Sequence, residues 1–163
     1  MLEQQRAYVL RSVEERGVRL VRLWFTDILG NLKSFAISPA ELENALIDGM
    51  TFDGSSIDGF SRIQEADVLA IPDPDTFEVL PWGDAKASEA RVFCDIHNLD
   101  GTPFEGDPRQ VLRRHVNALH EQGLTFYVAP DIEWFYFEPP TDRSAPKPID
   151  QGGFFDPTTT DIS

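Results

Sequence analysis

Apolar and polar positions switch between a helical and an alternating period along this chain, and the switches predict its elements. Residues 2–16 place Leu2, Val9, Leu10 and Val13 among Glu and Arg, and Gly17 follows, which predicts a short amphipathic helix ended by glycine. Arg19 to Phe25 is a dense apolar run with Leu20, Val21, Leu23 and Trp24, suited to a strand buried on most of its surface. Asp27 to Asn31 reads as a turn. Leu32 to Ile37 sets Lys33, Phe35 and Ile37 against Ser34 and Ala36, so a hairpin is expected. Ser38-Pro39-Ala40-Glu41 carries helix-start chemistry: a hydroxyl N-cap, proline at the first helical position, and a glutamate placed to bond back to the cap amide. Leu42, Ala45 and Leu46 make that helix's apolar stripe, and Gly49 can stop it.

Thr51 to Phe60 follows, with Asp53, Ser55, Ser56, Gly54 and Gly59 between the apolar Phe52, Ile57 and Phe60. It reads as a structured loop pinned by its aromatics, holding Asp53 at a fixed place; a plain Asx-type turn is the simpler alternative. Asp67 to Ile71 and Phe77 to Trp82 predict two short strands around Pro72-Asp73-Pro74-Asp75, and Gly83 to Glu89 is polar and expected to be exposed. In the strand expected over Ala90 to Ile96, Val92, Cys94 and Ile96 share one face, which makes Cys94 a core residue. A boundary is expected near Asp100 to Pro103. Asp107-Pro108 repeats the helix-start chemistry, and Leu112, His115, Val116 and Leu119 form a stripe ending at Gly123, with His115 read as a packed histidine. His97 and His120 have no partner at metal-site spacing.

Leu124 to Phe137 is the longest strand candidate. Alternation puts Asp131, Glu133 and Phe135 on one face and Ile132, Trp134 and Tyr136 on the other. Two acids on one face of an aromatic segment repel each other unless something compensates them. A divalent cation would, since carboxylates are hard oxygen donors; solvent or an arginine would serve equally. Beyond Pro139 the chain turns polar and proline-rich, and Gly152 to Pro157 suggests a turn anchored by aromatics.

Among the 163 residues, 14 basic and 28 acidic side chains give a net charge of −14, which argues against binding nucleic acid or an anionic membrane through net charge and favours cations. The single cysteine cannot form an internal disulfide, there is no signal-peptide pattern at the start, and no apolar run approaches the ~20 residues that span a bilayer. A cytoplasmic protein is expected. No internal repeat and no Gly-rich phosphate loop is present.

Taken in order, Phe52-Asp53-Gly54-Ser55-Ser56-Ile57, Pro72-Asp73-Pro74, Phe93-Cys94-Asp95-Ile96, Asp107-Pro108-Arg109, Asp131-Ile132-Glu133-Trp134 and Gly153-Phe154-Phe155-Asp156 resemble the N-terminal third of type I bacterial glutamine synthetases, from near residue 3 to about residue 157. The resemblance implies an α+β chain: a β-grasp N-terminal domain over 1–103, then the opening of an antiparallel, barrel-like catalytic domain over 104–163. It implies an ATP-dependent ligation of ammonia to glutamate through a γ-glutamyl phosphate, with Mg²⁺ or Mn²⁺, in a homo-oligomer that is a dodecamer across the family, with active sites between neighbouring subunits. By motif, Asp53 is the residue that attracts ammonium and helps remove its proton, Ser56 supports its loop, and Asp131 and Glu133 stand where the family places two metal-binding glutamates. Asp131 is one methylene shorter than the usual Glu, about 1.5 Å of reach. The remaining metal ligands, the arginines for glutamate and phosphate, and most of the nucleotide pocket have no counterpart in these residues, so the 163 residues alone are expected to be inactive. A ligase joining glutamate to a polyamine or other amine, and a non-catalytic ring-forming or regulatory module, are the alternatives.

Overall fold

The computed structural model describes residues 2–54, 67–82, 88–139, 145–150 and 152. Two compact units divide the chain, Met1–Thr125 and Phe126–Ser163. In the first, helix α1 (Leu2–Glu15) leads to strands β1 (Leu20–Thr26) and β2 (Leu32–Ile37), helix α2 (Pro39–Asp48), strands β3 (Met50–Asp53) and β4 (Asp67–Pro72), a 3-10 turn (Pro74–Thr76), strands β5 (Glu78–Val79) and β6 (Glu89–Asn98), and helix α3 (Pro108–Glu121).

The expected β1–β2 hairpin is present, antiparallel, with Val21 opposite Ile37 and Leu23 opposite Phe35. Its turn is built on Asp27. That side chain is fully buried and accepts from the Leu29 and Asn31 amides and the Asn31 side chain, with Lys33 Nζ 3.5 Å away. Burial opposes ionisation there, but the bonds from Asn31 and Leu29 and the Lys33 charge prevail and hold the carboxyl below its ordinary range. At the start of α2, the Ser38 amide and hydroxyl both donate to Glu41 Oε2, at 3.0 and 2.8 Å, as the sequence predicts.

The sheet runs β2-β1-β6-β4-β3, with β5 paired to β6 beside that path. β6 joins its two halves: residues Glu89 to Phe93 run parallel to β1, and Cys94 to Asn98 run antiparallel to β4. The chain leaves β4 at Pro72, and the 3-10 turn is stitched back onto β6, with Asp73 N donating to Phe93 O and Phe93 N to Thr76 Oγ1, each at 2.8 Å. One face of the sheet carries Val21, Leu23, Phe25, Ile37, Val68, Ala70, Ala90, Val92, Cys94 and Ile96, which with Val9 and Val13 of α1 and Leu42, Ala45 and Leu46 of α2 make the core. Cys94 is fully buried as expected, and burial pushes its thiol far up. The other face of β1 and β6 is half-buried and of mixed chemistry. Trp24 meets Phe93 edge-on at 5.6 Å, and the Arg91 guanidinium lies over both rings while donating to Thr76 O.

Several expectations are corrected. Glu89 belongs to β6, not to an exposed polar linker: Arg22 donates to both its carboxylate oxygens and holds its carboxyl below the usual range. Of Phe77 to Trp82 only Glu78–Val79 pairs as a strand, the rest having no ladder partner among the described residues. The stripe on α3 is only partly covered: Val116 and Leu119 are half-buried, but Leu112 is 60% exposed and His115 is exposed, not packed. The expected strand over Leu124 to Phe137 forms no ladder, because a strand requires a partner and the described residues supply only an isolated bridge between Phe137 and Pro148.

Candidate functional site

Asp53 closes β3, a four-residue strand that among the described residues pairs only with β4 and forms the sheet's edge. Thr51 to Asp53 are thus strand where a loop was expected. Two close fits set the strand's place. At its start, Gly49 ends α2 at φ +78° with its amide donating to Ala45 O, and a Cβ there would lie 2.9 Å from Leu69 Cγ and 3.0 Å from Ala70 O of β4. Near its end, Phe52 packs on Phe25 of β1 at 4.8 Å and on Phe35 of β2 at 5.4 Å between ring centroids. β2 and β3 are opposite edges of the sheet, so the Phe35–Phe52 contact shows a sheet curled until its edges meet. Alternation then sends Asp53 to the face opposite Phe52, where it is exposed, across the ladder from Asp67. Ser55, Ser56 and the rest of that loop lie outside the described residues.

Asp131 and Glu133 lie in the second unit, and both are exposed. So are their apolar neighbours: Ile132 is 76% exposed, Phe135 75%, Trp134 61% and Tyr136 53%. Tyr136 O and Lys147 O accept from the Ile149 and Glu138 amides, which holds the end of this segment against residues 147–149. A contiguous exposed apolar segment of this kind is a contact surface or an aggregation liability. Among the described residues no group of three or more His, Cys, Asp or Glu side chains could hold a metal ion. The two carboxylates fit a hard divalent ion in donor type, but not in number.

Sequence reasoning missed a polar hub beneath β6. Arg109 of α3 donates to Asp73 Oδ2 at 2.7 Å and to Asp95 Oδ1 at 3.0 Å, Arg113 pairs with Asp95 Oδ2 at 2.7 Å, and the Arg109 guanidinium lies 5.8 Å from the centre of the Phe93 ring. Asp107, the α3 N-cap, accepts from the Arg109 and Ile96 amides. Burial pushes its carboxyl up against those bonds. His97 bonds Gly101 O through Nδ1 and meets the buried Gln110 amide through Nε2, so it holds a turn and the helix together. The only hint in the sequence was the Asp107-Pro108-Arg109 helix start, which names no acidic partners.

Comparison with known proteins defines the class first. The family model described as "Glutamine synthetase, beta-Grasp domain" matches residues 17–99, and that described as "Glutamine synthetase, catalytic domain" matches residues 105–161. This chain belongs to the glutamine synthetase family. Glutamine synthetase of Mycobacterium tuberculosis (strain ATCC 25618 / H37Rv) is 52% identical over 163 residues, covering 98% of this chain and 36% of that protein. That of Mycolicibacterium smegmatis is 52% identical over 165 residues, covering 99% and 37%, and that of Thermotoga maritima is 47% identical over 150 residues, covering 91% and 34%. The chain therefore spans about a third of the length of these relatives. Among solved structures, one titled "GmaS/ADP complex-Conformation 1" is similar with a TM-score of 0.63 and 25% identity, over 70% of this chain and 26% of that one.

Proposed function

We propose that this chain forms the N-terminal part of an enzyme that ligates ammonia to glutamate at the expense of ATP, with residues 1–103 as the β-grasp domain and 104–163 opening the catalytic domain. The observation that carries this reading beyond family membership is Asp53: a carboxylate presented outward at the end of an edge strand whose neighbouring side chain, Phe52, is clamped inside. A carboxylate on an exposed rim suits a site completed by another subunit of a homo-oligomer. Fixed in place, it draws in ammonium by charge and accepts its proton, leaving neutral ammonia as the nucleophile. Ser56 supports the same loop.

Asp131 and Glu133 each contribute an oxygen donor to Mg²⁺ or Mn²⁺, the remaining donors coming from other elements. When bound, such ions neutralise phosphate charge and orient ATP and glutamate. The exposed apolar segment around these two residues supports burial by further parts of the complete protein. No helix among the described residues is long and apolar enough to cross a membrane.

The test is Asp53→Ala in the complete protein, assayed for ATP-dependent glutamine formation with ammonium and, in parallel, with polyamines. The variant should keep its fold and its nucleotide affinity and lose use of ammonium. Normal turnover in the variant would exclude the assigned role, and a preference of the parent for polyamines would remove ammonia as its substrate.

A further inference from the structure

We infer that Phe35 is a positioning residue for Asp53, acting through Phe52 from the opposite edge of the sheet. The inference rests on the role proposed for Asp53 above. β3 has four residues and, among the described residues, one strand neighbour, so its ladder with β4 fixes its height in the sheet and leaves side-chain packing a share in its tilt. The tilt is set from the inner face, where Phe52 lies against Phe25 and Phe35 with planes at 41° and 35°, and Phe25 and Phe35 lie 6.4 Å apart. Phe25 is 3% exposed and serves the core as a whole. Phe35 is half-buried, sits on the β2 edge opposite Leu23, and meets β3 through Phe52. Its ring is therefore the wall that stops Phe52 from swinging outward. Because Phe52 and Asp53 are adjacent and face opposite ways, any swing of one displaces the other.

The chemistry is sensitive to such a displacement. Proton transfer to a carboxylate needs heavy atoms within about 2.6–3.2 Å, and a misplacement of about 1 Å can weaken catalysis a hundredfold. In the function proposed above, ATP and glutamate are oriented through ions on Asp131 and Glu133 and not through this strand.

The experiment is Phe35→Leu in the complete protein, with Phe35→Met as a second ringless variant and Phe35→Tyr as the conservative one that keeps the ring. Loss of one aromatic pair shifts the balance between the seated and the displaced Phe52, and with it the population of the competent Asp53, by about two- to tenfold. Both ringless variants should raise the KM for ammonium by that factor and leave the KM values for glutamate and ATP unchanged, with thermal melts confirming the fold, and Phe35→Tyr should restore the parent value. Equal changes in all three KM values, no change in the KM for ammonium, or a Tyr variant no better than Leu would each overturn the inference. Asp53→Ala separates the two ideas. If it abolishes ammonium use while Phe35→Leu and Phe35→Met do not affect it, only the positioning role fails; if it leaves ammonium use intact, the role of Asp53 itself fails.

Discussion

Replacing Gly49 by alanine should destabilise the first unit by about 1–5.5 kcal/mol, and the structure supplies each part of that figure. The residue has φ +78° and ψ −179°, a region that only glycine occupies readily and that costs other residues about 1–3 kcal/mol. The new Cβ would also lie 2.9 Å from Leu69 Cγ and 3.0 Å from the Ala70 carbonyl oxygen. The Leu69 side chain can yield, but the Ala70 backbone belongs to β4 and cannot move without disturbing its ladder with β6. Overpacking of that kind costs about 1–3 kcal/mol. Against this, alanine restricts the unfolded chain and returns about 0.4–1 kcal/mol. Urea unfolding followed by Trp24 fluorescence reads the result, since Trp24 lies against Phe93 in the sheet. With a slope of about 2 kcal/mol per molar urea, the midpoint should fall by about 0.5–2.8 M. Gly17→Ala is the control: its φ is +60°, but nothing lies within 4 Å of its virtual Cβ, so the backbone penalty of about 1–2 kcal/mol applies, less the same unfolded-chain return, with no steric part. A fall for Gly49→Ala no greater than for Gly17→Ala would refute the reasoning, because the steric part would then be absent.

Arg109→Ala removes the donor shared by Asp73 and Asp95 and should lower stability by about 1.5–3 kcal/mol, with hydrogen exchange of the α3 amides accelerating before that of β6; unchanged α3 protection would show that the hub does not hold the helix. Asp27 titrates below its ordinary value in the folded state, so its contribution is present above the unfolded carboxylate range and is lost as pH falls through the folded pKa. The stability gap between the parent and Asp27→Asn should therefore be constant above about pH 4 and narrow in more acid solution, and a gap that persists unchanged to about pH 2 would contradict this.

What the sequence made legible was what neighbours in the chain decide. Ser38 and Glu41 lie one helical turn apart, Asp27 and Asn31 close a single turn, and Val92, Cys94 and Ile96 share a face by alternation alone; each was readable from local chemistry. The Arg109 hub was not, since its acids lie 14 and 36 residues away and only the fold brings them together. From the sequence, Phe52, Ile57 and Phe60 pin the stretch that carries Asp53; Phe52 is indeed packed, on rings of β1 and β2 that no turn pattern records, while Ile57 and Phe60 lie outside the described residues. The stripe on α3 and the aromatics from 126 to 137 are periodic enough to predict burial, yet periodicity does not say what does the burying.

The pairing of β1 with β6 carries a consequence for how the chain acquires its shape. Leu20 aligns with Glu89 in the one parallel ladder among the described strands, while the β1–β2 hairpin closes over a few residues. Local hairpins form in microseconds, whereas distant strands must first overcome the entropy of the chain between them. On a ribosome, the opening hairpin is exposed with one unsatisfied edge until β6 emerges from the exit tunnel, and synthesis at about 5–20 residues per second makes that wait several seconds long. The edge that later welds the sheet is thus, for a time, open to pairing with another chain.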